Sequence, residues 1–394
     1  MSDLTATHYP RVVGPNLAEA LEFLAGDLSA PHRSALLQSY GRFAVIVENS
    51  GNLIWDSSDV LGGLGIVVFP LHQLESDVER FLITGVPPEM SPGLCPLTDM
   101  LRSVIRDYSI RQFDWLPRRS AGAHHRSLIM GILNTTPDSF SDGGRFFDGV
   151  RALDHAREMI DEGADIIDVG GCSTRPGATE PSPEEEIRRT IPVIEKLRAS
   201  SGTPISIDTY RAEVARRALD AGADVINDVT ALSHDPDMAL LAASRDVPLV
   251  LMHMQGTPRT MQENPHYDDL IAEIYRFLSR AVRRAEAAGV RRERIAVDPG
   301  FGFGKTVEQN LEILRRLHEF HSLGRPILIG TSRKSTLGKV LDRPMDERLM
   351  GTAATVALAV ASGASIVRVH DVGKMRDVVR MTEAVLAGRA SPET

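Results

Sequence analysis

The sequence predicts a (β/α)8 (TIM) barrel preceded by a small α/β or α+β domain. Three observations lead there. From residue 127 onward, short apolar runs alternate with amphipathic stretches, and each run ends in a polar residue or a glycine. The spacing between run ends suits βα units. The chain of 394 residues also exceeds the ~250 residues that one barrel needs.

Before the barrel, residues 1–120 lack Lys altogether. Asn16–Gly26 (NLAEALEFLAG) reads as an amphipathic helix with an Asn cap. Arg42–Glu48 (RFAVIVE) reads as a strand, with SGN at 50–52 as a turn. A second strand is expected over Leu64–Phe69, a helix over Leu71–Leu82 and another helix over Leu97–Arg106. The polar stretch Arg118–His125 marks the boundary, giving domains 1–120 and 121–394.

The barrel strands follow in order. Leu128–Leu133 ends at Asn134, Ala164–Ile167 at Asp168, Pro204–Ile207 at Asp208 and Asp224–Ile226 at Asn227. Pro248–Met252 then ends at His253 and Ile295–Val297 at Asp298; Pro326–Ile329 leads into Gly330, and Ser365–Val367 into Arg368. Three helices close on EGAD (162–165), AGAD (221–224) and SGAS (362–365), where Gly can leave the helix with positive φ. A doubly wound sheet is the main alternative, but no GxGxxG follows the first strand. In a barrel, Asn134, Asp168, Asp208, Asn227, Asp228, His253, Asp298, Arg368 and His370 converge on one mouth. Polar residues that simply mark solvent-facing strand ends are the plainer reading for any one of them.

Composition narrows the function classes. With 42% hydrophobic and 25% charged residues, the chain has the balance of a folded globular protein. No run approaches ~18 apolar residues, so no membrane partner is expected. The N-terminus lacks a secretory pattern, so the cytoplasm is the expected compartment. A net charge of −9 argues against nucleic acid as a partner. Cys95 and Cys172 are too few for a disulfide framework or metal cluster, and no HExxH is present.

Several segments carry chemistry. NTTPDSFSDGG (134–144) reads as a mobile polar lid or a solvated turn. GGCSTRPG (170–177) offers close backbone approach and anion donors; Cys172 within it is either a reactive thiol or, more simply, a small packed residue. Asp208 and Asn227 could read a heterocycle or form a structural network. DPGFGFGK (298–305) lacks P-loop spacing, so its aromatics read as pocket walls; Lys305 either caps that loop or pairs with a carboxylate. GTSRKS (330–335) suits an anionic or heteroaromatic ligand, and Arg368-Val369-His370-Asp371 suits an anion. Lys334 is one of five lysines in the chain.

Together these motifs resemble the dihydropteroate synthase family. The resemblance rests on MGILNTTPDSFSDGG (130–144), STRPG (173–177), INDV (226–229), DPGFGFGK (298–305), TSRKS (331–335) and RVHD (368–371), in the family's order. It implies condensation of 6-hydroxymethyl-7,8-dihydropterin diphosphate with p-aminobenzoate, giving 7,8-dihydropteroate and pyrophosphate. By motif, Asp208, Asn227, Asp298, Lys334, Phe303 and Met252 would hold the pterin. Asn134, Thr174, Arg175, Arg368 and His370 would hold the diphosphate, with Asn134 also ligating Mg2+. Phe140, Pro176, Ser332, Arg333 and Ser335 would shape the p-aminobenzoate pocket. The resemblance further implies a dissociative step, in which Asp142 stabilises a cationic pterin methylene with Lys334, Arg175 and Asn134 assisting, and a homodimer.

Two positions depart from the family pattern. Cys172 stands where Glu is usual, and Thr336 stands where a large apolar residue is usual. Both bear on p-aminobenzoate affinity more than on reaction type. A corrinoid-type pterin methyltransferase would share the barrel but would not need the NTTPDSFSDGG and TSRKS loops.

Overall fold

The computed structural model describes residues 9–14, 43–48, 57–64, 66–71, 80–87, 89–110, 127–135, 145–172, 180–256 and 260–389. They form two compact units: residues 1–110 with His318–Arg325, and residues 111–317 with Pro326–Thr394. The expected helix at 16–26 and turn at 50–52 lie outside the described residues.

The first unit is an antiparallel sheet with helices. Its strands are β1 (Arg11–Gly14), β2 (Phe43–Glu48), β3 (Val67–Leu71) and β4 (Arg80–Val86), in the order β1-β2-β4-β3. The expected helix over Leu71–Leu82 is overturned, because Leu71 ends β3 and Arg80 begins β4. The reason is visible in β4. As an inner strand it buries Phe81, Leu82 and Ile83 in succession, and such a short continuous apolar run has no periodicity to separate strand from helix. The second strand starts at Val67, later than expected, because Leu64 still closes helix α1 (Ser58–Gly63) through its N–H to the Val60 carbonyl.

Helix α2 (Pro96–Ser109) starts on a capping box in which Cys95 and Thr98 satisfy each other's backbone N–H groups. It lays Leu97, Met100, Leu101, Val104, Ile105 and Tyr108 into the core with Val45, Val47 and Ile83. Arg11 is buried in this unit and pairs with Glu48 at 3.5 Å and Glu319 at 3.1 Å.

The second unit is the predicted barrel. Its strands are β5 (Leu128–Asn134), β6 (Ile166–Gly170), β7 (Ile205–Asp208), β8 (Val225–Asp228), β9 (Leu249–Met252), β10 (Ile295–Asp298), β11 (Leu328–Ile329) and β12 (Ile366–Val369). They lie parallel in the order β10-β9-β8-β7-β6-β5-β12-β11. A parallel bridge between Val297 and Ile327 joins the two ends. Met130, Ile166, Val225, Val250, Ala296, Leu328 and Ile366, from seven of these strands, fill the interior.

The helices are α3 (Arg145–Asp161), α4 (Pro183–Ser200), α5 (Ala212–Asp220), α6 (Asp237–Arg245), α7 (Leu270–Ala287), α8 (Val307–Arg315), α9 (Ser335–Leu341), α10 (Leu349–Ala361) and α11 (Val372–Ala387). The repeated Gly-Ala-Asp phrase has two tasks. Gly163 and Gly222 take φ of +98° and +109°, which end their helices. The Asp165 and Asp224 carboxylates then accept the Ile129 and Ile205 N–H groups at 2.8 and 2.9 Å, fixing the strand starts.

Candidate active site

The centre of the barrel mouth is a buried charge network. Arg368, on β12, donates to Asp168 Oδ2 at 2.6 Å and to Asp208 Oδ2 at 2.8 Å. Asn227 Nδ2 donates to the same Asp168 oxygen at 3.1 Å. Asp168 is fully buried and ties β6, β8 and β12 together. Its strand-end position was legible, but its part as the hub was not, because three separate strands supply the connections.

Burial sets the electrostatics. It pushes the Asp208 carboxyl up to about 7, against the pull of Arg368. It pushes Asp298 up to about 6, against the Gly300 N–H, which donates to Asp298 Oδ1 at 2.7 Å. Burial, together with Arg368, lowers the Lys334 ammonium to about 8, while Asp298 and Asp208 hold it up. For Arg368 the carboxylates Asp168 and Asp208 outweigh burial and raise its pKa, so it stays charged. Asp208, Asp298, Lys334 and Arg368 are thus close enough to set one another's charge.

One wall of this site is apolar. Tyr210, Val229, Met252, Met261 and Phe303 pack together, with Cys172 and Met254 against them. The Lys334 ammonium sits 4.0 Å from the centre of the Phe303 ring. Met252, at the end of β9, and Phe303, in the β10 loop, thus lie in one apolar cluster.

The anion side is built on the β11 and β12 loops. His370 Nδ1 lies 3.0 Å from Ser332 Oγ, and Ser332 is buried. Burial lowers the His370 imidazole to about 3, so it is neutral near pH 7. Arg333 takes a left-handed φ of +57° and donates to Asp371 at 2.7 and 3.1 Å. Ser335 is exposed at the start of α9.

Gly170 explains how Asn134 joins the site. A Cβ placed there would sit 3.6 Å from Asp208 Oδ2 and 3.8 Å from Asn134 Oδ1, so the ends of β5, β6 and β7 bring these two oxygens beside Gly170. Gly171 serves packing, since a Cβ there would meet Thr190 Cγ2 at 2.8 Å.

Two expected mouth residues point elsewhere. Asp228 turns to its own loop, accepting from the Thr230 N–H at 2.8 Å and the Leu232 N–H at 2.7 Å, because adjacent strand residues face opposite sides. His253 is buried against Phe277 and Tyr267, beneath the β10 loop. Phe140, Asp142, Thr174, Arg175 and Pro176 lie outside the described residues.

The two departures find local partners. Burial pushes the Cys172 thiol up to about 11, and its sulfur lies 3.9 Å from Tyr210 Oη, so the reading as a small packed residue holds. Thr336 is buried and accepts from Asn310 Nδ2 at 3.0 Å.

Comparison with known proteins identifies the family of this barrel. A family described as pterin binding enzyme matches residues 130–370. The dihydropteroate synthase of Synechocystis is 50% identical over 274 residues, covering 69% of this chain and 92% of that protein. A Clostridium difficile dihydropteroate synthase structure determined with pteroic acid superposes with a TM-score of 0.63 at 49% identity, covering 66% of this chain and 97% of that one. A Xanthomonas albilineans dihydropteroate synthase structure with 4-aminobenzoic acid gives a TM-score of 0.63 at 46% identity, covering 66% and 94%. Barrel and mouth thus define a pterin-binding enzyme. Within that class, the chain belongs to the dihydropteroate synthase family.

Proposed function

We propose how this barrel carries out the reaction of its family. The chain is a transferase of folate biosynthesis that makes 7,8-dihydropteroate. Its substrates are small molecules, a dihydropterin diphosphate and p-aminobenzoate. The observation that carries the assignment of the pterin pocket is the cluster of Asp208, Asn227, Asp298 and Lys334 around an apolar wall of Met252 and Phe303. Carboxylates that accept paired N–H groups and an amide that both donates and accepts match the edge of a pterin ring.

The diphosphate falls to Arg368 and His370, with Asn134, Thr174 and Arg175 completing its shell. Ser332 fixes the His370 ring at Nδ1, which leaves Nε2 to donate to the diphosphate. The residues present fit a Mg2+ ion. The Asn134 amide offers a hard oxygen at the end of β5, near Gly170 and Asp208, and a hard cation shared with a diphosphate needs few protein ligands. When bound, Mg2+ supplies charge neutralisation on the leaving oxygens. Arg368 and Arg175 add to that neutralisation from the protein side.

Asp142, on the first lid, stabilises positive charge at the pterin methylene as the diphosphate leaves. Phe140, Pro176, Ser332, Arg333 and Ser335 shape the p-aminobenzoate pocket and keep water from the cation. The p-aminobenzoate amine attacks as a neutral nucleophile, so no strong base is needed. The test is 7,8-dihydropteroate formation from dihydropterin diphosphate, p-aminobenzoate and Mg2+. Folded protein that makes none would sink the assignment.

The domains we assign are a small domain over 1–120 and the synthase barrel over 121–394. A homodimer is supported by the exposed apolar side chains Met350, Leu358, Met381 and Val385 on α10 and α11. Among the described residues no helix is long and apolar enough to cross a membrane. The cytoplasm is the compartment we assign, supported by the two free cysteines, Cys95 and Cys172.

A further inference from the structure

Beneath the proposed pterin pocket lies a buried amine that the reaction does not use. Lys305 is 3% exposed and ends the DPGFGFGK loop. Its Nζ donates to the Phe303 carbonyl at 2.8 Å and lies 3.0 Å from His253 Nδ1. His253 in turn donates its backbone N–H to the Asp298 carbonyl at 2.9 Å. The Lys305 side chain therefore ties the end of β9 to the far end of the loop, while the His253 backbone holds the Asp298 end. The loop has no slack: a Cβ at Gly300 would come 1.8 Å from the His253 carbonyl oxygen, and one at Gly304 2.8 Å from the Gln255 carbonyl oxygen.

We propose that Lys305 is a positioning residue for the pterin site, bracing the β10 loop and placing an amine beneath the Asp298 carboxylate. The inference rests on the reading of Asp298 as a pterin ligand. Its geometry is specific. Phe303, whose carbonyl Lys305 holds, presents its ring to Lys334 at 4.0 Å. The brace therefore supports both an acceptor and a cation of the pocket.

The charges facing this pair are few and can be named. Asp298 feels Lys334 from the β11 loop, Lys305 from its own loop and Arg368 from β12, and all three pull its carboxyl down. Lys305 feels Asp298, which holds it charged, and Lys334, which opposes it. Burial lowers Lys305 to about 7 and lowers His253 well below its usual range. A neutral imidazole then accepts at Nδ1 while the ammonium donates. The Tyr267 ring flanks His253 on its other side, and its hydroxyl donates to the Gly304 carbonyl at 2.8 Å.

The test is calorimetric titration of the full chain with 6-hydroxymethylpterin between pH 5 and 9, for wild type, Asp298→Asn and Lys305→Met. Removing a nearby cation should raise the pH midpoint of binding by about one unit and weaken binding near pH 6.5 several-fold. Loss of affinity in Asp298→Asn with an unmoved midpoint in Lys305→Met overturns the inference and leaves the pterin reading standing. Full affinity in Asp298→Asn overturns the pterin role and the inference together. Should Lys305→Met fail to fold, Lys305→Gln keeps a donor for the Phe303 carbonyl while removing the charge, and is expected to move the midpoint the same way. An unmoved midpoint there overturns the inference.

Discussion

Asp298→Asn separates the cost of the site from its use. In the free protein the carboxylate sits in a buried environment that raises it to about 6. An unfolded Asp titrates near ~3.9, so the shift is about two units, or about 3 kcal/mol. The sign follows from proton binding. Between pH ~4 and ~6 the folded state holds a proton that the unfolded state has released, so wild-type stability falls as pH rises through that window. Above it both states are ionised and the full penalty remains. Asn keeps an oxygen for the Gly300 N–H and carries no charge. Asp298→Asn is therefore expected to be more stable than wild type by up to about 3 kcal/mol at pH 8, with the gain vanishing toward pH 4. Binding should move oppositely, because the lost charged acceptor costs about 1.5–3 kcal/mol of pterin affinity. Urea unfolding across pH and calorimetry with 6-hydroxymethylpterin measure the two effects. Lower stability at pH 8 in a variant that still loses affinity would refute the claim that the site holds a destabilising charge.

Other expectations follow from the same geometry. Arg368→Met leaves Asp168 and Asp208 facing each other without their cation, so it should destabilise the barrel by about 3–5 kcal/mol at pH 8. Part of that loss should return at pH 5.5 as the Asp208 carboxyl takes up a proton; urea midpoints at the two pH values check this. Gly171→Ala drives a methyl against Thr190 and the Glu186 backbone, and thermal unfolding should report a loss of about 1–3 kcal/mol. Asp142→Ala should slow turnover more than it weakens pterin binding. Equal losses, from kinetics and calorimetry, would argue against cation stabilisation.

The sequence by itself determined the barrel and most of its mouth. Eight apolar runs ended in Asn, Asp, His, Gly or Arg, and strand direction alone sends such ends to one face. Gly163 and Gly222 were legible because a helix that must turn into a strand needs positive φ there. The first unit was less legible. Its β4 reads as an apolar run without period, and only its place between β2 and β3 makes it a strand.

Tertiary structure decided which polar ends work together. Asn227 and Asp228 are adjacent in sequence, yet the pleat sends one to Asp168 and the other to its own loop. Asp168 and Arg368 are 200 residues apart and meet at 2.6 Å because barrel closure brings β6 near β12 across β5. Lys305 and His253 carried no spacing signal, since the bond between them depends on how the β9 and β10 ends stack. Hydrophobic periodicity and turn chemistry are local and can be read along a chain. Charge pairing and burial belong to residues that only a closed barrel makes neighbours.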